Sequence, residues 1–170
     1  MTLAQLNTLS LADARHAFMQ CCTSSAWVNA MADARPYVDT DALFAHADAV
    51  WQQLAEGDYL EAFEGHPKIG DISSLRAKYA NTKALASGEQ SSVNQASEQV
   101  LSALSQGNSE YEDKFGFIFI VCATGKSAAQ MLALLRARLP NDRATELVNA
   151  VEEQRKIFHL RITKMLESNA

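Results

Sequence analysis

One stretch of this chain reads as a β-strand, and nothing pairs with it. Phe115-Gly116-Phe117-Ile118-Phe119-Ile120-Val121-Cys122-Ala123 is rich in the aromatic and β-branched residues that favour extended backbone. No second convincing strand exists, and a lone strand leaves its N–H and C=O groups without a ladder. The chain is therefore expected to be all-α, a single domain over residues 1–170 with about seven to nine helices and 115–123 as one buried extended segment. The spare backbone groups of such a segment serve either neighbouring helices and water or a small polar ligand.

The remainder supplies the helices. Ser10 with Asp13 is a capping-box variant ahead of Leu11, Ala14, Phe18 and Cys21 or Cys22 at helical spacing. Trp27, Val28 and Met31 mark a helix that ends before Pro36. Asp39 or Thr40 caps the clearest one, where Leu43, Phe44, Ala47, Val50, Trp51 and Leu54 line one face and Gly57 is the expected stop. A short helix runs from Asp58 to Gly65, residues 71–82 read as loose helical turns, and 87–106 reads as a helix broken at Gly107-Asn108. Ser127 with Gln130 caps a helix stopped by Pro140, and Asn141 caps a last long one to Glu167.

Composition excludes several function classes. A net charge of −5 and a pI near 5.3 disfavour nucleic acid and anionic membrane as partners, which need a basic field. No apolar run approaches membrane-spanning length, and the first residues lack the basic start of a signal peptide. Cys21, Cys22 and Cys122 are odd in number, and CxxC and HExxH are absent. No disulfide framework or metal site is expected, and a reducing, cytoplasmic setting fits. Cys122, in an apolar run, reads as a small buried hydrophobe rather than a nucleophile.

Against this background a few polar residues stand out. Gly65-His66-Pro67-Lys68-Ile69-Gly70 places a histidine on a stiff loop, since proline restricts the residue before it and glycine permits turns. His66 falls just beyond a helix C-terminus, where the dipole favours a protonated imidazole by about 0.3–1 kcal/mol. The plain alternative is a helix-ending turn with a surface histidine. On the last helix the stripe Leu147, Val151, Gln154, Phe158, Arg161, Met165 sets an arginine in a seam position. A partly buried guanidinium there needs a carboxylate, a bound anion or a route to the edge. Glu89, in a first helical turn, is either an ordinary dipole partner or a third member of a polar site. Histidine, carboxylate and arginine together suit proton transfer on a small, N–H-rich acid. The GxGxxG and Walker patterns are absent, so no cofactor motif accompanies them.

Four signatures in order, Gly65-His66-Pro67-Lys68-Ile69-Gly70, Gly88-Glu89-Gln90, Lys114-Phe115-Gly116-Phe117-Ile118-Phe119-Ile120 and Ile157-Phe158-His159-Leu160-Arg161-Ile162, resemble those of the OHCU decarboxylases. These enzymes act on 2-oxo-4-hydroxy-4-carboxy-5-ureidoimidazoline. The resemblance spans nearly the whole chain. It implies the last step of urate breakdown to (S)-allantoin, an all-α fold, no cofactor, and a homodimer. It also implies that His66 is the catalytic proton donor with Pro67 beside it at the substrate, and that Glu89 and Gln90 contact the ring and ureido groups. Ile120, Val121, Cys122 and Ala123 then offer main-chain contacts, and Arg161 holds the substrate, its carboxylate included. One position departs from the pattern: the family's S-x-x-E-Q serine would fall at Ala86, whereas here serine is Ser87, which suits a helix cap.

Decarboxylation on such a ring leaves electron density that the ring itself delocalises, so no pyridoxal or thiamine sink is needed. The site must stabilise that charge and deliver a proton to one face. Glu89 either keeps the imidazole protonated or holds a ring N–H, and Lys68 has no assigned role and reads as solvent-facing. The alternative function is a non-enzymatic helical binding or scaffold module with a structural histidine. Hydrolysis of a related ureide is a third, unsupported by any Ser-His-Asp or metal motif.

Overall fold

Side-chain caps set most of the helix starts in the computed structural model, which describes residues 1–67, 72–79 and 90–167, the side chains of Ile72, Ser74, Lys78 and residues 90–97 aside. Thr2 and Gln5 form a reciprocal capping box at α1 (Leu3–Thr8), Ser10 caps α2 (Leu11–Met19), Ser24 caps α3 (Ser25–Asp33) and Asp39 caps α4 (Thr40–Gln52). α5 (Glu56–Glu64), α6 (Ile72–Tyr79) and α7 (Gln90–Phe115) follow. Ser127 and Gln130 make a second box at α8 (Ala128–Arg138), and α9 (Arg143–Glu167) closes the series. Among the described residues there are nine helices and no strand, so the fold is all-α as expected.

Several local expectations are corrected. α4 stops at Gln52, and Gly57 lies inside α5, because Asp58 Oδ2 accepts the Ala55 N–H at 3.1 Å and starts that helix early. Gly107 does not break α7. A Cβ there would stand 2.6 Å from Leu135 Cδ2, so the bare glycine serves the close approach of α7 to α8. Phe115 is the last helical residue rather than the first extended one. Gly116, at φ +80°, supplies the left-handed cap and returns its N–H to Glu112 O at 2.8 Å. The cap of α9 is Asp142, whose Oδ1 accepts from Thr145 N at 2.8 Å, while Asn141 donates its side chain to Glu146 at 2.9 Å.

The Cα positions divide into two compact units, Met1–His66 with Val151–Ala170, and Pro67–Ala150. In the first, α3 packs against α2, α4 and α5. Its core centres on aromatic rings: Trp27 meets Phe18 edge-on at 5.9 Å and Phe158 at 5.0 Å, and Trp51 meets Phe158 edge-on at 5.6 Å. Both indole N–H groups are satisfied, Trp27 by Ala47 O at 3.2 Å and Trp51 by Val151 O at 3.0 Å, so the rings are buried without an orphaned donor.

In the second unit α7 packs against α6 and α8. The segment after Gly116 forms neither helix nor ladder through Ala123. Phe117, Phe119 and Ile120 are buried, whereas Ile118, Val121, Cys122 and Ala123 are partly exposed. Tyr111 packs with Phe115, Phe117 and Phe119 at ring separations of 4.5, 6.0 and 5.3 Å. Arg138 lies over the Phe119 ring at 4.7 Å and donates Nη1 to Ile120 O at 2.7 Å. It is held in turn by Glu146, fully buried, at 2.7 Å. Tyr111, Asn141 and Asn149 also donate to the Glu146 carboxylate, at 2.6, 2.9 and 2.7 Å. Burial pushes that carboxyl up, but these donors outweigh it and hold its pKa below the ordinary value.

Removing Glu146 would strand a buried guanidinium and three side-chain donors. Glu146→Ala is expected to lose about 3–5 kcal/mol of stability, read by urea unfolding. A loss under about 1 kcal/mol would show that water replaces the carboxylate.

Candidate active site

His66 is placed by the end of α5. Its backbone N–H returns to Phe63 O at 3.2 Å, one residue after the Gly65 cap. Gly65 is needed here for space rather than for an unusual turn: its φ is −72°, an ordinary helical value. A Cβ on Gly65 would lie 2.1 Å from Thr23 Oγ1 and 2.7 Å from Thr23 Cβ. Thr23, in the α2–α3 connection, uses that hydroxyl on the Glu61 and Ala62 carbonyls at 3.1 and 3.2 Å. Two of the last carbonyls of α5 thus share the single hydroxyl hydrogen of Thr23, and the loop is pinned one residue before the imidazole.

The imidazole reaches α9. His66 Nε2 lies 2.5 Å from Oε1 of Gln154, a fully buried residue. With the carbonyl end of the amide facing the ring, Nε2 carries the hydrogen and donates it. The amide nitrogen of Gln154 is buried and has no partner among the described residues. An unpaired buried donor costs about 1–3 kcal/mol, so this glutamine is not retained for stability. Two turns further along the same helix, Arg161 donates Nη1 to Cys21 O at 3.4 Å. Among the described residues Arg161 makes no ion pair. Arg161 is half-buried, and in place of a carboxylate it has one long bond to a carbonyl, so a strong anion donor remains largely unspent.

Electrostatics corrects one expectation at His66. On balance the imidazole is less basic than usual, not more. Burial pushes its pKa down, the bond to Gln154 acts upward, and the positive charge of Arg161 acts downward again, for a net value below the ordinary 6.5. The nearby thiols are no rivals as nucleophiles. Burial raises Cys21 and Cys22 to about 12 each, so both stay protonated at neutral pH.

The other expected site residues are distributed as follows. Pro67 follows His66 and is exposed. Gln90 begins α7, its side chain outside the described residues. Glu89, Ser87 and Ala86 lie outside the described residues, as do Lys68, Ile69 and Gly70. Ile120 to Ala123 belong to the second unit, where part of their backbone is already engaged: Ile120 O by Arg138, and Cys122 O by Lys126 Nζ at 2.7 Å. The amides of Val121 and Ala123 have no acceptor among the described residues. Gln154 was not singled out from the sequence, although it stands on the α9 stripe that exposed Arg161. The missed signal is a second polar residue on one buried seam. Among the described residues no group of three or more His, Cys, Asp or Glu side chains is placed to hold a metal ion.

The site thus joins a histidine held by a buried amide to an arginine with no carboxylate partner among the described residues. The family model described as OHCU decarboxylase matches residues 7–163. The chain belongs to the OHCU decarboxylase family. The Arabidopsis thaliana uric acid degradation bifunctional protein TTL is 35% identical over 88% of this chain and 46% of its own length. The chain thus spans about half of that relative. The 2-oxo-4-hydroxy-4-carboxy-5-ureidoimidazoline decarboxylase of Haloferax volcanii is 24% identical over 99% of this chain and 98% of its own. A crystal structure of OHCU decarboxylase in the presence of (S)-allantoin superposes with a TM-score of 0.70 at 35% identity, covering 88% of this chain and 96% of that one. In this family member the histidine of the Gly65–Gly70 signature bonds Gln154 of α9 and lies within the electrostatic influence of the arginine of the last signature.

The steric contact beside His66 is testable without any assay of chemistry. Gly65→Ala is expected to cost about 1–3 kcal/mol in thermal or urea unfolding, because Thr23 Cβ, and not only its flexible end, stands in the way. Wild-type stability in that variant would mean that the α2–α3 connection yields freely.

Proposed function

We propose that the chain decarboxylates 2-oxo-4-hydroxy-4-carboxy-5-ureidoimidazoline to (S)-allantoin, closing urate degradation. The observation that carries this reading is the pairing of a desolvated His66 with Arg161, a cation without a carboxylate among the described residues. Family membership supports it, as does the likeness to a decarboxylase crystallised with (S)-allantoin.

The chemistry fits those two groups. The hydroxyl and carboxyl sit on one ring carbon and the ureido group on the next. As CO2 leaves, its bonding pair moves into the ring C=N bond, and the nitrogen at the far end takes a proton from solvent. The hydroxyl proton must leave to make the product carbonyl, and a proton must arrive on one face of the ureido-bearing carbon. A neutral imidazole can do both in turn, taking the hydroxyl proton and returning it to carbon. The ring is its own electron sink, so on this reading no cofactor is required. Arg161 positions the anionic substrate. Its grip must not be too tight on the leaving carboxylate, since ground-state stabilisation would slow the reaction. Glu89 and Gln90 hold the ring and ureido N–H groups, Pro67 lines the site, and backbone of 120–123 completes it. The working form is a single domain over residues 1–170 acting as a cytoplasmic homodimer, with no nucleic-acid or membrane partner.

Coupled to urate oxidation and hydrolysis of its first product, the protein is expected to yield optically active allantoin. Racemic allantoin at the spontaneous rate would end the proposal. His66→Ala should lose about 10²-fold or more in kcat. Arg161→Ala should raise KM by about tenfold or more, the usual weight of a charge-assisted hydrogen bond. For wild type, kcat/KM should be flat through neutrality and fall with acid below a pKa under 6.5, as protonation removes the base. A profile that instead rises on acidification through that range would require imidazolium as the starting form.

A further inference from the structure

We propose that Gln154 is a positioning residue for the decarboxylation: its side-chain carbonyl fixes the hydrogen of His66 on Nε2, leaving Nδ1 as the atom that exchanges the proton with substrate. The proposal rests on the assignment of His66 under Proposed function.

Three observations carry it. Gln154 is fully buried and its Oε1 meets His66 Nε2 at 2.5 Å, closer than an unconstrained contact. The other ring nitrogen has no partner among the described residues, so the two nitrogens are divided between protein and open use. The amide nitrogen of Gln154 has no partner among the described residues, which a residue kept for packing would avoid. The amide itself is held firmly, because Phe158, one turn on, is wedged against Trp27 and Trp51. A neutral carbonyl in this place orients the ring as a carboxylate would, without adding a charge. A carboxylate would stabilise imidazolium and make it a poorer donor to carbon.

The charged groups facing His66 within its unit are few. Arg161 approaches from α9 and acts on the ring directly. Glu61 on α5 is turned away, its carboxylate accepting the Ser25 amide. Cys21 and Cys22, in the connection after α2, remain neutral thiols.

The test uses the full chain with Gln154→Met, Gln154→Glu and His66→Asn. Long-range 15N–1H spectra of wild type at neutral pH are expected to show His66 with its hydrogen on Nε2. Gln154→Met keeps the volume and removes the orphaned amide, so its melting temperature should equal or exceed wild type while kcat falls about tenfold or more at similar KM. Gln154→Glu should move the acid limb of the kcat/KM profile upward by about one pH unit or more. A structural role would lower the melting temperature and leave that limb in place. A hydrogen on Nδ1 in wild type, or wild-type kcat and pH profile in Gln154→Met while His66→Asn is inactive, overturns the role of Gln154 alone. Full activity in His66→Asn brings down the assignment of His66 and this proposal with it.

Discussion

Everything near the candidate site depends on how Phe158 is gripped. Its ring is fully buried between two indoles, and both indoles are tied by their N–H groups to backbone carbonyls. A phenylalanine held on two sides cannot rotate its helix without breaking the densest part of the core. Gln154 and Arg161 flank it on the same stripe of α9, so their directions are inherited from aromatic packing rather than from polar contacts. The polar contacts are too sparse to do this: one short bond from Gln154 and one long one from Arg161. The hydrophobic core supplies rigidity, and the polar groups are left with unspent hydrogen-bonding capacity. That is how a binding or catalytic site differs from a satisfied interior.

The second unit solves a different problem with a buried charge. A lone extended segment has no ladder, and the chain answers with an arginine that bonds the Ile120 carbonyl and covers the Phe119 ring. Burying that arginine is tolerable because Glu146 neutralises it, and Glu146 is tolerable because several further donors converge on it. The arrangement consumes some of the backbone groups that the sequence left open for a ligand.

Helix existence was legible wherever a cap and an apolar stripe coincided. Ser10, Asp39 and Ser127 all start helices where they stand, since a cap is local chemistry. Glycine was misread three times for one reason. Sequence alone reports its conformational freedom, but Gly107 and Gly65 are used for the absence of a side chain, and Gly57 for neither. Gly116 and Gly125, by contrast, take left-handed φ values of +80° and +75°. Close approach is a tertiary fact, invisible until the neighbour is known. The same limit explains the candidate site. An arginine on an apolar stripe is conspicuous, whereas a glutamine there passes as a mild exception until its partner across the fold is found.

The contact between Gly65 and Thr23 makes two distant positions a single steric unit. A threonine this close to the helix end is compatible only with glycine opposite it, and a larger residue at 65 demands a smaller one at 23. Substitutions at the two positions are therefore expected to travel together among relatives, and a lost glycine should be recoverable by shrinking the threonine. A position beside the imidazole can thus be as intolerant as the imidazole itself while taking no part in chemistry. Intolerance to substitution at Gly65 marks the support of the histidine, and intolerance at His66 marks its use.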